Sequence, residues 1–242
     1  MRICVSGATK MSKTKLVQDF LMAFPNYKEV KLTFRDKIKE KLGDNFDSPD
    51  IMRIIRMGNK ETQEMIRDSI IEQISAFSRE DNVIYDRGLM DNLMYSLYLC
   101  SVGADGCDGD WMTDQLPIFR DYFKFYDVIM FTPLLTGYYA PVIPEGSIEL
   151  DREIIFRSEQ NNIFVALHKE YLDGKRNWLP KEDTPAILEI FGTPEERIQM
   201  IRLYVDEMGQ PYDEDKSLVK GHLAEGLEFM EKFEELHEKT KP

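Results

Sequence analysis

A short apolar run, Arg2-Ile3-Cys4-Val5-Ser6, leads straight into Gly7-Ala8-Thr9-Lys10-Met11-Ser12-Lys13-Thr14 and then into an amphipathic stretch, so the chain opens as strand, loop and helix. The pattern G-x-x-x-x-G-K-[ST] binds phosphate for a physical reason. Loop N–H groups and the helix N-terminus face the anion, the Lys reaches the outer phosphates, and the hydroxyl meets Mg²⁺. Gly7, Lys13 and Thr14 satisfy that pattern, and Ser12 stands where the second Gly belongs. A side chain there narrows the backbone's freedom and its approach to phosphate. Ser is small, however, and the Lys-Thr pair that supplies the charge is intact. Residues 7–14 are therefore expected to hold a nucleoside triphosphate, with Lys13 on the outer phosphates and Thr14 at the metal.

Downstream, strand and helix patterns alternate. Leu16, Val17, Phe20, Leu21 and Phe24 form a helical stripe, and a weak strand follows at 29–33. Ile66, Ile70, Ile74 and Phe77 share one face of a helix over 61–78, with Asn59 as its cap. The strand at 82–87 ends in Asp86-Arg87, at the place where open parallel sheets bind ligands. A helix over 90–102 carries Asp91 in its first turn, and strands follow at 127–131 and 185–191. Between those two strands, 148–172 is helical and contains Arg152 and Arg157. Gly192-Thr193-Pro194-Glu195-Glu196 sets Thr at an N-cap, Pro first in the helix and Glu third, a capping box for a helix expected to end near Gly209. Such alternation implies a parallel sheet covered on both faces.

With 43% apolar residues over 242 positions, one domain can bury a full core. Acidic residues outnumber basic ones 44 to 31, a net charge of -13 that disfavours nucleic acid as a partner while leaving room for a small phosphorylated ligand. Cys4, Cys100 and Cys107 form no C-x-x-C, and His168, His222 and His237 show no metal-ligand spacing. Without a long apolar run the chain reads as soluble, intracellular and not membrane-bound.

The order of these pieces resembles the P-loop kinases of nucleosides and nucleoside monophosphates. More closely it is similar to phage and bacterial proteins grouped with the AAA-type ATPase domain of the nicotinamide riboside kinase NadR. The resemblance spans about 1–208 and implies an α/β, three-layer P-loop NTPase fold: a five-stranded parallel sheet of order 2-3-1-4-5, flanked by helices, with a helical lid at about 134–172. It divides the chain into a kinase-like domain over 1–210 and an acidic helical extension over 211–242 packed on it. It implies ATP on Gly7, Ala8, Thr9, Lys10, Met11, Ser12, Lys13 and Thr14, and Mg²⁺ near Thr14 and Asp86. Asp86 and Arg87 then serve the acceptor hydroxyl, the metal's water shell and the phosphates, Arg152 and Arg157 are the lid arginines, and Gly192, Thr193 and Pro194 pass beside the adenine. Arg35, Asp36, Glu61 and Gln63 border the acceptor pocket, and Asp91 joins them. First helical turns attract carboxylates for dipole reasons as well, so Glu61 and Asp91 also fit as plain helix-start residues. The expected activity is transfer of the ATP γ-phosphoryl group to a small acceptor, a nucleoside or nucleoside monophosphate, in a cytoplasm, with a homodimer as the assembly. Nicotinamide riboside kinase activity, a slowly hydrolysing nucleotide switch and a ring ATPase motor are the alternatives.

Overall fold

The computed structural model describes residues 1–9, 11–42, 58–134, 148–175 and 177–211, with side chains for all of these but 41–42 and 148–154. Five strands, β1 (Arg2–Gly7), β2 (Lys28–Val30), β3 (Val83–Asp86), β4 (Val128–Thr132) and β5 (Ala186–Glu189), pair in parallel in the order β2-β3-β1-β4-β5. This is the expected order. The described helices are α1 (Lys13–Ala23), α2 (Phe34–Leu42), α3 (Lys60–Ile74), α4 (Leu89–Ser101), α5 (Gly109–Phe123), α6 (Ile148–Leu172) and α7 (Pro194–Arg202).

The pleat sorts apolar side chains to two faces. Ile3, Val5, Ile84, Val128 and Met130 pack with Leu16, Val17 and Phe20 of α1 and Ile201 of α7. Cys4, Tyr85, Ile129 and Phe131 pack on the other face with Ile66 and Ile70 of α3, Leu93 of α4, Phe119 of α5 and Phe164 of α6. Register aligns the strand ends: Val5 lies opposite Asp86 and Met130, and Gly7 opposite Thr132. The loops after β1 and β3 therefore emerge side by side.

Two expectations need correction. β2 ends at Val30 rather than Thr33, because the Gln73 carboxamide takes over where the ladder stops, accepting from the Thr33 amide at 2.9 Å and donating to the Lys31 carbonyl at 3.1 Å. α7 ends at Arg202, well short of Gly209, and the chain turns into a bridge between Val205 and Pro211. Gly209 serves that turn at φ +73°, and the Tyr27 hydroxyl donates to its carbonyl at 2.6 Å. Of the expected extension over 211–242, residues 212–242 lie outside the described residues, as do 135–147 of the lid.

Candidate functional site

Gly7 ends β1 at φ +145°, a conformation L side chains rarely adopt, and a Cβ there would come within 2.3 Å of the Thr132 hydroxyl. Ser12 sits at φ 56°, ψ 31°, the left-handed conformation that glycine adopts freely. The substituted serine thus keeps the loop's path at a strain of about 1–2 kcal/mol. Lys13 is buried and turned back on its own loop, its ammonium donating to the Gly7 carbonyl at 2.7 Å and the Ala8 carbonyl at 2.6 Å. Burial, then the positive Arg87, push its pKa down to about 7, against the pull of Asp91 and Asp86. Lys10 lies outside the described residues.

β3 delivers Asp86 to the same edge, where Oδ2 accepts a 2.5 Å hydrogen bond from the Thr14 hydroxyl. Its Oδ1 is buried and has no hydrogen-bond partner among the described residues. A hydroxyl and a carboxylate with one unused oxygen suit Mg²⁺, which takes one or two protein oxygens and fills its octahedron with water and phosphate. Among the described residues no cluster of three or more His, Cys, Asp or Glu forms an all-protein metal cage.

Arg87 follows at φ 79°, a strained conformation of the kind that gathers at functional sites. Its guanidinium lies 3.7 Å from Asp91 Oδ1. Burial disfavours the charge on Arg87, but Tyr95, Asp91 and Asp86 outweigh it and raise its pKa. Asp91 is buried, and its Oδ2 accepts from the Ser6 hydroxyl at 2.7 Å and the Gly88 amide at 3.1 Å. Burial raises its pKa, with Lys13 and Arg87 opposing. One buried carboxylate therefore sits between two cations at the inner wall of the cleft, and it also caps α4.

A small cavity opens beside this edge, lined by Phe34 and Arg35 of α2, Gln63 of α3, Arg87, and Asp91, Asn92 and Tyr95 of α4. Asn92 donates to Gln63 Oε1 at 3.0 Å, and its own Oδ1 is buried without a partner among the described residues. The structure brings Arg35, Gln63 and Asp91 to this wall. Asp36 and Glu61 are exposed in the first turns of α2 and α3 and do not line it. Asn59 caps α3 by accepting from the Thr62 amide at 3.1 Å.

Two further elements close on the phosphate loop. From α6, the buried Gln160 accepts at 3.0 Å from both the amide and the hydroxyl of Thr9, and Arg157, also buried, lies one turn earlier. The side chain of Arg152 lies outside the described residues. After β5, Thr193 and Glu196 form the expected capping box. Arg197 then ties this loop to the first one, donating to the Gly192 carbonyl at 3.0 Å and the Met11 carbonyl at 3.4 Å. Gly192, Thr193 and Pro194 thereby lie beside the phosphate loop. Sequence reasoning did not single out Ser6, Asn92, Tyr95, Gln160 or Arg197. For Gln160 the available signal was its i+3 spacing from Arg157, and for Arg197 its place at the end of Gly192-Thr193-Pro194-Glu195-Glu196-Arg197.

Sheet order, strand-end loop and cleft together define the P-loop kinase fold. Similar solved structures share it. NadR in complex with NR superposes with a TM-score of 0.53 at 14% identity, over 84% of this chain and 51% of that one, so the chain spans about half the length of that relative. A deoxyadenosine kinase from M. mycoides with products dCMP and dCDP gives 0.52 at 11% identity, over 83% of this chain and 96% of that one. The same enzyme with dATP gives 0.50 at 12%. At these identities the likeness establishes the fold. No protein-family model and no curated protein matches the sequence. None of the described helices is long and apolar enough to cross a membrane.

Proposed function

We propose that this protein is an ATP- and Mg²⁺-dependent phosphotransferase acting on a small metabolite, a nucleoside or nucleoside monophosphate, in a cytoplasm. The observation that supports it best is spatial. Lys13, the Thr14–Asp86 pair and a largely apolar cavity whose rim carries Arg35, Gln63, Arg87 and Asn92 meet at the same end of the sheet. Phosphoryl transfer passes through a loose transition state with charge on the equatorial oxygens, so positioned cations do most of the work.

On this reading Lys13 leaves the Gly7 and Ala8 carbonyls for the outer phosphates, and Arg87 faces the transferring group. Mg²⁺, held through Thr14 and Asp86, would neutralise charge on the phosphates. Asp86, at the strand end, orients the acceptor hydroxyl and takes its proton. Asn92 Oδ1 and Asp91 Oδ1, both lacking hydrogen-bond donors among the described residues, would receive donors from the acceptor. The solved structures of like fold hold NR in one case and dCMP and dCDP in the other, and an acceptor of the nucleoside or nucleotide kind follows that precedent. A riboside of the NR type is the second reading, on the precedent of NadR.

The test is incubation with Mg²⁺ and ATP against a panel of nucleosides, nucleoside monophosphates and nicotinamide riboside. Phosphorylated product from one panel class identifies the acceptor. Tight ATP binding with no acceptor-stimulated turnover across the panel would instead point to a nucleotide switch.

A further inference from the structure

Thr9 and Gln160 are separated by 151 positions, yet both donors of Thr9 converge on one oxygen of Gln160. A backbone amide can only donate, so the carboxamide oxygen must face Thr9 and its NH₂ group must point elsewhere. That Nε2 is buried and has no hydrogen-bond partner among the described residues. The same holds for Nε and Nη2 of Arg157, which shares a face of α6 with Gln160 at i, i+3 spacing. Gln160 is 0% and Arg157 3% exposed, so bulk solvent does not reach these groups. Buried donors are nearly always paired in folded proteins, and a cationic cluster of donors unpaired among the described residues, beside a phosphate loop, suits an anionic ligand.

We propose that Gln160 is a phosphate-sensing latch. Its oxygen fastens α6 to Thr9, and its NH₂ group joins the Arg157 guanidinium in receiving the terminal phosphate of a bound nucleoside triphosphate. The inference rests on the kinase reading above. Its chemistry selects a tri- over a diphosphate, because the donors sit on α6 across from the loop rather than within it. The latch is also wired to the acceptor side. The Tyr95 hydroxyl lies 3.4 Å from Thr9 Oγ1, its ring packs 6.1 Å from that of Phe156 on α6, and Tyr95 lines the acceptor cavity.

Calorimetric titration of the full chain with Mg²⁺ and either ADP or the non-hydrolysable analogue AMP-PNP tests the latch. The wild type binds AMP-PNP more tightly. Gln160→Glu keeps an acceptor for Thr9 but replaces the NH₂ with a charged oxygen, so AMP-PNP affinity falls by about tenfold or more, the size of one charge-assisted hydrogen bond, while ADP affinity holds. Gln160→Met, which removes both functions, supplies the same ratio should the glutamate variant fail to fold. A folded variant with the wild-type AMP-PNP to ADP ratio overturns the latch and leaves the kinase reading standing. A wild type that binds neither nucleotide overturns both.

Discussion

Residues 7–14 put backbone donors, a lysine and a hydroxyl into one continuous segment, whereas the neighbouring cavity draws Phe34 from α2, Gln63 from α3, and Asn92 and Tyr95 from α4. The first site is made mostly of main chain whose path is fixed by Gly7 against Thr132 and by the left-handed Ser12. The second is made of side chains whose positions depend on how three helices pack. Main-chain sites tolerate sequence change as long as the path survives, which is why a serine can stand where a glycine is usual. Side-chain sites can change selectivity while the fold remains, so the acceptor is set by Gln63, Asn92 and their neighbours rather than by the architecture.

The largest effect should come from the loop's lysine. Lys13→Ala is expected to lower phosphoryl transfer by about 10³-fold or more, in the range known for cationic groups at such transition states, with the melting temperature retained. Initial rates at saturating acceptor measure it, and near wild-type turnover would break the distinction between the two sites. On the acceptor side, Gln63→Leu removes the 3.0 Å side-chain partner of the Asn92 amide and leaves it the 3.3 Å bond to the main-chain carbonyl of residue 63. The acceptor KM should rise by about three- to tenfold, the size of one lost neutral hydrogen bond, with the ATP KM unchanged. A parallel rise in both constants would show that the two sites are not separable. The smallest effect is Ser12→Gly, which relieves the left-handed strain but adds unfolded-state entropy. A net gain of about 1 kcal/mol, or about 2–4 °C in melting temperature, is expected, and a fall in melting temperature would contradict the strain.

Sequence legibility followed the same division. The strands themselves, the loop and the capping box after β5 were readable because each depends on local chemistry: apolar runs, a glycine at a strand end, Thr-Pro-Glu-Glu at a helix start, whereas the strand order came from resemblance. Arg35 and Gln63 came from resemblance and Asp91 from its place at a helix start, and the structure sets them around one cavity while leaving Asp36 and Glu61 at exposed helix starts. Gln160 and Arg197 escaped because each acts through a contact more than a hundred residues away, Gln160 on Thr9 and Arg197 on Met11. No periodicity or spacing encodes such contacts. The early end of α7 was missed for a related reason, since Gly209 answers to Tyr27 and Phe24 of another element rather than to its own helix.

The most direct test of the phosphate loop is a proton count. Burial lowers the Lys13 pKa to about 7, so at pH 8 the free protein holds this side chain largely neutral, and at pH 6 it is already charged. A triphosphate brought against it favours the ammonium, so binding at pH 8 must draw a proton from solvent, and binding at pH 6 much less. Titrating Mg²⁺-ATP into the protein at both pH values, in buffers of different ionisation enthalpy, reads that number. The account predicts uptake approaching about one proton per site at pH 8, reduced at pH 6 and abolished in Lys13→Met. Absence of binding by the folded protein, or binding at pH 8 with no proton uptake, would contradict it.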